Sequence, residues 1–187
     1  MRMIQQMISW LPQLLNGAKI TILLTLCAVS MGLLLSIFLA LGKMSRNKIL
    51  SGICSIYIFF FRGTPLLMQL YFIYFGLPQI NMALTINSRF FAAFLAFSLN
   101  SAAYCSEFIR AAIQSIDRGQ FEASKALGLS KTQTMRLVIF PQSIRRLVPS
   151  VANEFIMVLK DASLVSIIAL ADLTKVTRAI SSSTGTA

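Results

Sequence analysis

The run from Ile20 to Leu41 holds 22 residues without a single charge. At about 1.5 Å of rise per residue, a helix of that length crosses a hydrocarbon core of ~30 Å. A buried helix inside a large soluble core is the alternative, but 187 residues can hardly enclose several runs of this kind. Hydrophobic residues make up 56% of the chain and charged ones only 12%. The chain therefore reads as an all-α integral membrane protein, a single domain over residues 1–187.

About four transmembrane helices are expected. The second span begins near Ile49 and extends to about Pro78, interrupted by Arg62, Gly63, Thr64 and Pro65. Helix-breaking residues at membrane depth are tolerated only against protein or a watery cavity. A third span starts near Phe90, and a fourth covers about Leu147 to Ala171, interrupted by Glu154 and by Lys160 to Ser163. Residues 1–19 form an amphipathic stripe, interrupted at Pro12, with no small-residue cleavage site. That segment reads as an interfacial helix with Trp10 at headgroup level.

The net charge of +11 suggests nucleic acid at first sight. Its distribution excludes that class, because the basic residues lie in short segments beside apolar runs rather than in an aromatic-interleaved groove. Lys43, Arg46 and Lys48 fill the first loop, and seven basic residues lie between Arg110 and Arg146, whereas the turn before the third span has only Arg89. By the positive-inside rule the first loop and the central segment are cytoplasmic and the N-terminus is outside. Lys175 and Arg178 then fall outside, a mild contrary signal. Cys27, Cys54 and Cys105 sit in apolar runs without metal-ligand spacing, so no metal site is expected. With no histidine, and no visible nucleophile, base and acid constellation, the chain does not read as an enzyme, and no cofactor is expected.

One polar stretch stands apart, "EASKALGLSKTQTMRLVIFPQSIRRLVPS", residues 122–150. Ala123, Ala126 and Leu127 share one helical face. Gly128 is a natural stop for that helix. Ser130 with Gln133 has capping-box spacing for a second short helix, which Pro141 limits. From the residues alone two readings stand: a helix lying on anionic lipid, or a knob that docks another protein.

The spacing of Glu122, Ala123, Ser124 and Gly128, followed by Val138, Phe140 and Pro141, resembles the EAA cytoplasmic loop of ABC importer permeases. That pattern has Ala where Ser124 stands, Ile for Val138 and Leu for Phe140. "FRGTPLLMQLYFIYFGLP", "NSAAYCSEFIRAAIQSI" and "VLKDASLVSII" look like the polar amino acid branch, and the likeness runs from about residue 17 to the end. The resemblance implies a permease subunit of an ATP-driven amino acid importer in the bacterial inner membrane. Its partners would be a dimer of ABC ATPase subunits, a second permease chain in a homo- or heterodimer, an extracytoplasmic substrate-binding protein and an amino acid substrate within the lipid bilayer. Residues 117–146 would be the coupling loop, with Glu122, Ala123, Ser124, Ala126, Leu127 and Gly128 seated in a cleft of the ATPase. Independently, the chain carries no G-x-x-x-x-G-K-[ST] phosphate loop, so any ATP site belongs to a partner.

For the substrate path the candidates are ionisable or polar groups at membrane depth, which are costly unless they face the bundle interior. Asp161, at the break of the fourth span, either pairs with a cationic group of the substrate or with its neighbour Lys160. Ser163, Leu164 and Asn100 would be its neighbours, and Arg62 and Thr64 would shape the outer end of the path. Asn100 alternatively bonds across to the next helix. Glu107 and Arg110, three residues apart, either neutralise each other near the cytoplasmic edge or serve transport. The family has five spans, and the resemblance would place the last beyond "AISSSTGTA". Two other functions are compatible with the residues: an ion-coupled secondary transporter using Glu107, Glu154 or Asp161 as a proton relay, and an inactive or truncated membrane scaffold.

Overall fold

The structure, a computed structural model, describes residues 2–184. Among them α1 (Arg2–Lys43) is the long central helix. The helix continues through Pro12 rather than being interrupted there, so residues before and after the proline form one rod. Proline removes a single N–H, and a long apolar helix tolerates that loss when the turns on both sides persist. Asn47 then caps α2 (Lys48–Gly63), its Oδ1 accepting from Ile49 N–H at 3.0 Å.

At Gly63 the chain turns by 103° into a second arm over Leu66–Ile80. This arm consists of α3 (Leu66–Tyr71), a π-turn (Phe72–Gly76) and α4 (Leu77–Ile80). Then Ser88 caps α5 (Arg89–Gln114), accepting from Phe91 N–H at 3.2 Å. Two short helices, α6 (Arg118–Ala126) and α7 (Lys131–Gln133), precede a second π-turn at Thr134–Ile139 and α8 (Phe140–Asp161). A 3-10 turn (Ala162–Ile168) leads into α9 (Leu173–Thr184).

Both π-turns run up to a proline, Pro78 and Pro141. A proline ring crowds the carbonyl four residues before it. Widening the preceding turn takes that carbonyl out of the way, and the N–H just before the proline reaches back five residues, Phe140 to Met135 and Leu77 to Phe72. Pro141 therefore does not end a second short helix, as the sequence suggested. The chain passes through it into α8, seven residues before the expected start of the fourth span at Leu147.

By length and apolarity α1 can cross a membrane, and α2 with the Leu66–Ile80 arm forms one broken span. The helices α5 and α8 fall short of that test because they carry ionisable and small polar residues. Their environment compensates, since much of α5 is buried between α1, α2 and α8. The partition of side chains is that of a protein in lipid. Thr25, Ser36, Ser98, Ser101 and Ser106 are buried, while Phe38 and Phe59 are 74% and 81% exposed. Water would favour the reverse arrangement, whereas helices in a bilayer pack through small and weakly polar residues. A close crossing joins Gly32 of α1 to Ser101 of α5. The core around it includes Leu24, Ala28, Leu70, Ala96, Phe97 and Val158.

The α-helix of the fourth span stops at Asp161, within the interruption expected at Lys160 to Ser163, and continues as the 3-10 turn. Ala169 then adopts a left-handed conformation (φ 58°), and its carbonyl accepts from Lys175 Nζ at 2.8 Å and Arg89 at 3.5 Å. Lys175, which looked out of place by charge count, thus pins this turn. Asp172 caps α9 by accepting from Thr174 N–H at 3.0 Å and Lys175 N–H at 3.1 Å. Leu173 N–H bonds Thr21 Oγ1 at 3.2 Å, which fastens the start of α9 to α1.

Candidate functional site

The break between α2 and α3 decides where the site forms. In an unbroken helix Phe61 C=O would accept from residue 65, but Pro65 has no N–H. The freed carbonyl accepts from Gln69 Nε2 at 2.9 Å and Asn100 Nδ2 at 3.1 Å. Gln69 Nε2 also reaches Thr64 O at 3.0 Å and Thr64 Oγ1 at 2.7 Å, while Asn100 Nδ2 reaches Gln69 Oε1 at 3.1 Å. Thr64 Oγ1 in turn donates to Phe60 O at 2.9 Å. Two amides thus staple the elbow and tie it to α5. The cross-helix reading of Asn100 is the one realised. Gln69, 6% exposed, is a positioning residue that the sequence reading missed, and its only signal was a lone amide in an apolar run just after a proline. Gln69→Leu is expected to lower the Tm of the purified protein, since an interhelical hydrogen bond in a membrane contributes ~0.6–2 kcal/mol. A Gln69→Leu protein melting with the native one would contradict the staple.

Beside this elbow lies a cavity of about 320 Å³, bounded by the Gly63–Leu66 turn, α5 and the C-terminal half of α8. That size is at the lower end for small-molecule pockets, ~300–1,000 Å³. Arg62, Thr64, Asn100, Tyr104, Glu154 and Asp161 all face it. Three ion pairs occur among the described residues, and all centre on Glu107. Neither Glu154, which is 3% exposed, nor Asp161 has a cationic partner there.

Lys160 does not pair with Asp161. It faces a different cavity together with Ser163, Thr21 and Asp172. Ser163 and Leu164 are therefore not neighbours of Asp161 in the central cavity, contrary to expectation. For Ser163 the cause is rotational. Two residues further along a tight turn, a side chain has rotated by roughly 200–240° and points to the other side.

Glu107 also lies outside the central cavity. Its Oε1 accepts from Lys43 Nζ at 2.7 Å, and its Oε2 accepts from Arg110 Nη2 at 2.6 Å and Nε at 3.1 Å. The expected pairing with Arg110 holds, and Lys43, counted in the sequence as a loop charge, joins it from the end of α1. Glu107 thereby ties α1 to α5.

At the far end of α5 the polar stretch forms a compact knob. Asp117 caps α6, accepting from Gly119 N–H at 2.6 Å. The helix stops in a Schellman turn, with Leu129 N–H to Ser124 O at 3.1 Å and Gly128 N–H to Lys125 O at 3.0 Å. Gly128 sits at φ +75°, a conformation open to glycine and strained for most others. The capping box of Ser130 and Gln133 is complete.

Ser124 is buried and its hydroxyl donates to Gln120 O at 2.7 Å, so the departure from Ala is accommodated locally. Glu122, Ala123 and Ala126 are exposed. Leu127 at the tip is 79% exposed. An apolar patch of Ile113, Ile116 and Ile139 holds the knob against the base of α5, and Arg146 donates to Ser115 O beside it.

An elbowed span, a cavity lined by carboxylates and an exposed knob on an all-helical membrane fold define a transport permease. Comparison with known proteins agrees. The family described as "Binding-protein-dependent transport system inner membrane component" matches residues 32–185. The putative glutamine transport system permease protein GlnP of Rickettsia bellii is 41% identical over 177 residues, covering 92% of this chain and 80% of that protein. The arginine transport system permease protein ArtQ of Bacillus subtilis is 42% identical over 163 residues, 87% of this chain and 74% of the relative. A solved structure described as the crystal structure of an amino acid ABC transporter with histidines superposes with a TM-score of 0.90 and 44% identity, covering 96% of this chain and 83% of that one. The chain belongs to the binding-protein-dependent transport system inner membrane component family.

Proposed function

We propose that this chain is the permease subunit of an ATP-driven amino acid importer, and that its cargo is a cationic amino acid held in transit in the central cavity. The observation that carries the cargo class is electrostatic. Glu154 and Asp161 border one cavity within the spans, and neither has a cationic partner among the described residues. Carboxylates at membrane depth are costly unless a cation completes them. A cargo with an α-ammonium and a basic side chain supplies one cation for each. The relatives named for glutamine and arginine support amino acids as the wider class.

In this reading residues 117–146 face the cytoplasm, and the knob around Leu127 and Gly128 seats in a separate ATPase subunit, one of a pair. The N-terminus lies outside, where a binding protein delivers cargo, and a second permease chain completes the path. The basic residues Lys43, Arg46 and Lys48, at the same end of the bundle as the knob, support that orientation.

The test is uptake by proteoliposomes holding the full complex with its ATPase and binding protein. ATP-dependent uptake of radiolabelled L-arginine or L-lysine is expected. Asp161→Asn and Glu154→Gln should each lower it by on the order of tenfold, since hydrogen bonds to a charged group contribute ~1.5–3 kcal/mol. Uptake of L-glutamine alone, untouched by either substitution, would overturn the cationic reading.

A further inference from the structure

Arg62 lines the central cavity, and its bonding is incomplete. The nearest carboxylate oxygen, Glu107 Oε2, is 3.9 Å from Nη1, beyond hydrogen-bonding distance. Glu107 is already occupied by Lys43 and Arg110, so a third cation there is surplus. The guanidinium carbon also lies 5.2 Å from the centre of the Tyr104 ring, a weak cation–π contact. Among the described residues Arg62 donates no hydrogen bond, leaving a planar fork of five N–H groups without acceptors. The side chain is 43% exposed and borders two cavities, the central one and another toward Lys43 and Phe59. An arginine so loosely held within a span is waiting for an anion.

From this we propose that Arg62 is a specificity-determining residue that reads the α-carboxylate of the cargo, a role that rests on the central cavity being the cargo site. The guanidinium fork matches a carboxylate in a bidentate pair. The carboxylates of Glu154 and Asp161 line the same cavity as Arg62. An amino acid bound there meets negative groups with its cations and a positive group with its carboxylate. A simple polyamine meets only the first half of that pattern, so the cavity discriminates amino acids from amines of the same side chain. When cargo arrives, Arg62 turns from Glu107 and Tyr104 toward the carboxylate. Glu107 stays neutralised by Lys43 and Arg110, so this movement strands no charge.

The experiment is direct binding to the permease–ATPase complex in nanodiscs, without the binding protein, because that protein imposes a selection of its own. L-Arginine is compared with agmatine, the same molecule lacking the carboxylate, and L-glutamine with 4-aminobutanamide. The native complex is expected to prefer the amino acid over its amine by about tenfold to a hundredfold, the range of a charge-assisted hydrogen bond. Arg62→Gln should erase that ratio by weakening the amino acid while leaving the amine unchanged. Arg62→Lys, which keeps the charge without the fork, should retain part of it. Native binding with a ratio unchanged in both Arg62 variants, or a loss shared equally by amino acid and amine, overturns the role of Arg62 alone. Absence of native binding, or binding indifferent to Asp161→Asn, overturns the cavity reading and the inference with it.

Discussion

Glu122→Ala combined with Gly128→Val is expected to cut cargo-stimulated ATP hydrolysis by the reconstituted complex by on the order of tenfold or more while the permease still assembles in the membrane. The two changes act differently. Glu122 is an exposed carboxylate on α6, so under the proposed docking its loss removes a contact with the partner. Gly128 acts through the backbone. No atom lies within 4 Å of a Cβ built there, so there is room, but φ is +75°. A β-branched residue strongly resists that conformation, and a left-handed non-glycine residue costs ~1–2 kcal/mol. To relieve the strain the Schellman turn opens and Leu127 leaves the tip.

Stimulation should fall by on the order of tenfold or more if 1–2 kcal/mol of docking energy is lost. The base of the knob, Ile113 and Ile139, is untouched by either change, so expression and thermal melting should stay close to native. Full stimulation in the double variant would sink the docking role of the knob.

Gly32→Leu has the largest expected effect on the spans themselves. A Cβ at Gly32 would lie 2.9 Å from Ser101 Cβ and 3.2 Å from the backbone N of Ala102. Backbone cannot swing aside as a long side chain does, so α1 and α5 must separate along much of their crossing. Overpacking of this kind costs ~1–3 kcal/mol, and here it would also strain the Lys43–Glu107 bond at the end of the same crossing. Detergent-purified Gly32→Leu should show a lower Tm and a broad elution profile. Gly52→Leu is the control, because no neighbouring atom lies within 4 Å of its added Cβ. If both variants melt together with the native protein, close approach at Gly32 does not hold the bundle.

The features legible in the sequence were those that a few neighbouring residues settle. Gly63, Thr64 and Pro65 announce an elbow because glycine, then a ring without an N–H, undermine any helix. The Gly128 stop and the Ser130–Gln133 capping box are equally local, and both occur. What escaped depends on distant partners. Lys43 looked like a loop charge because its carboxylate partner is 64 residues away. Gln69 draws no attention in the sequence because its task, saturating Phe61 O, exists only once the elbow has formed. Closeness in sequence groups Ser163 with Asp161, but side chains two apart on a turn diverge. Pro141 reads as a stop in the sequence because the π-turn that accommodates it leaves no plain signature in the residues.

The two stapling amides also bear on how long a cargo stays. A broken helix usually offers bare carbonyls that clasp a passenger from several directions. Here Gln69 and Asn100 already occupy the freed carbonyl at the elbow, so much of that grip is withheld. In the cavity proposed for cargo, what meets the passenger instead is two carboxylates and an arginine. Such a site is a shallow well, deep enough to admit a molecule and shallow enough to release it. Dwell time then tracks the rocking of the helices more than the strength of the embrace, as suits a waypoint better than a store.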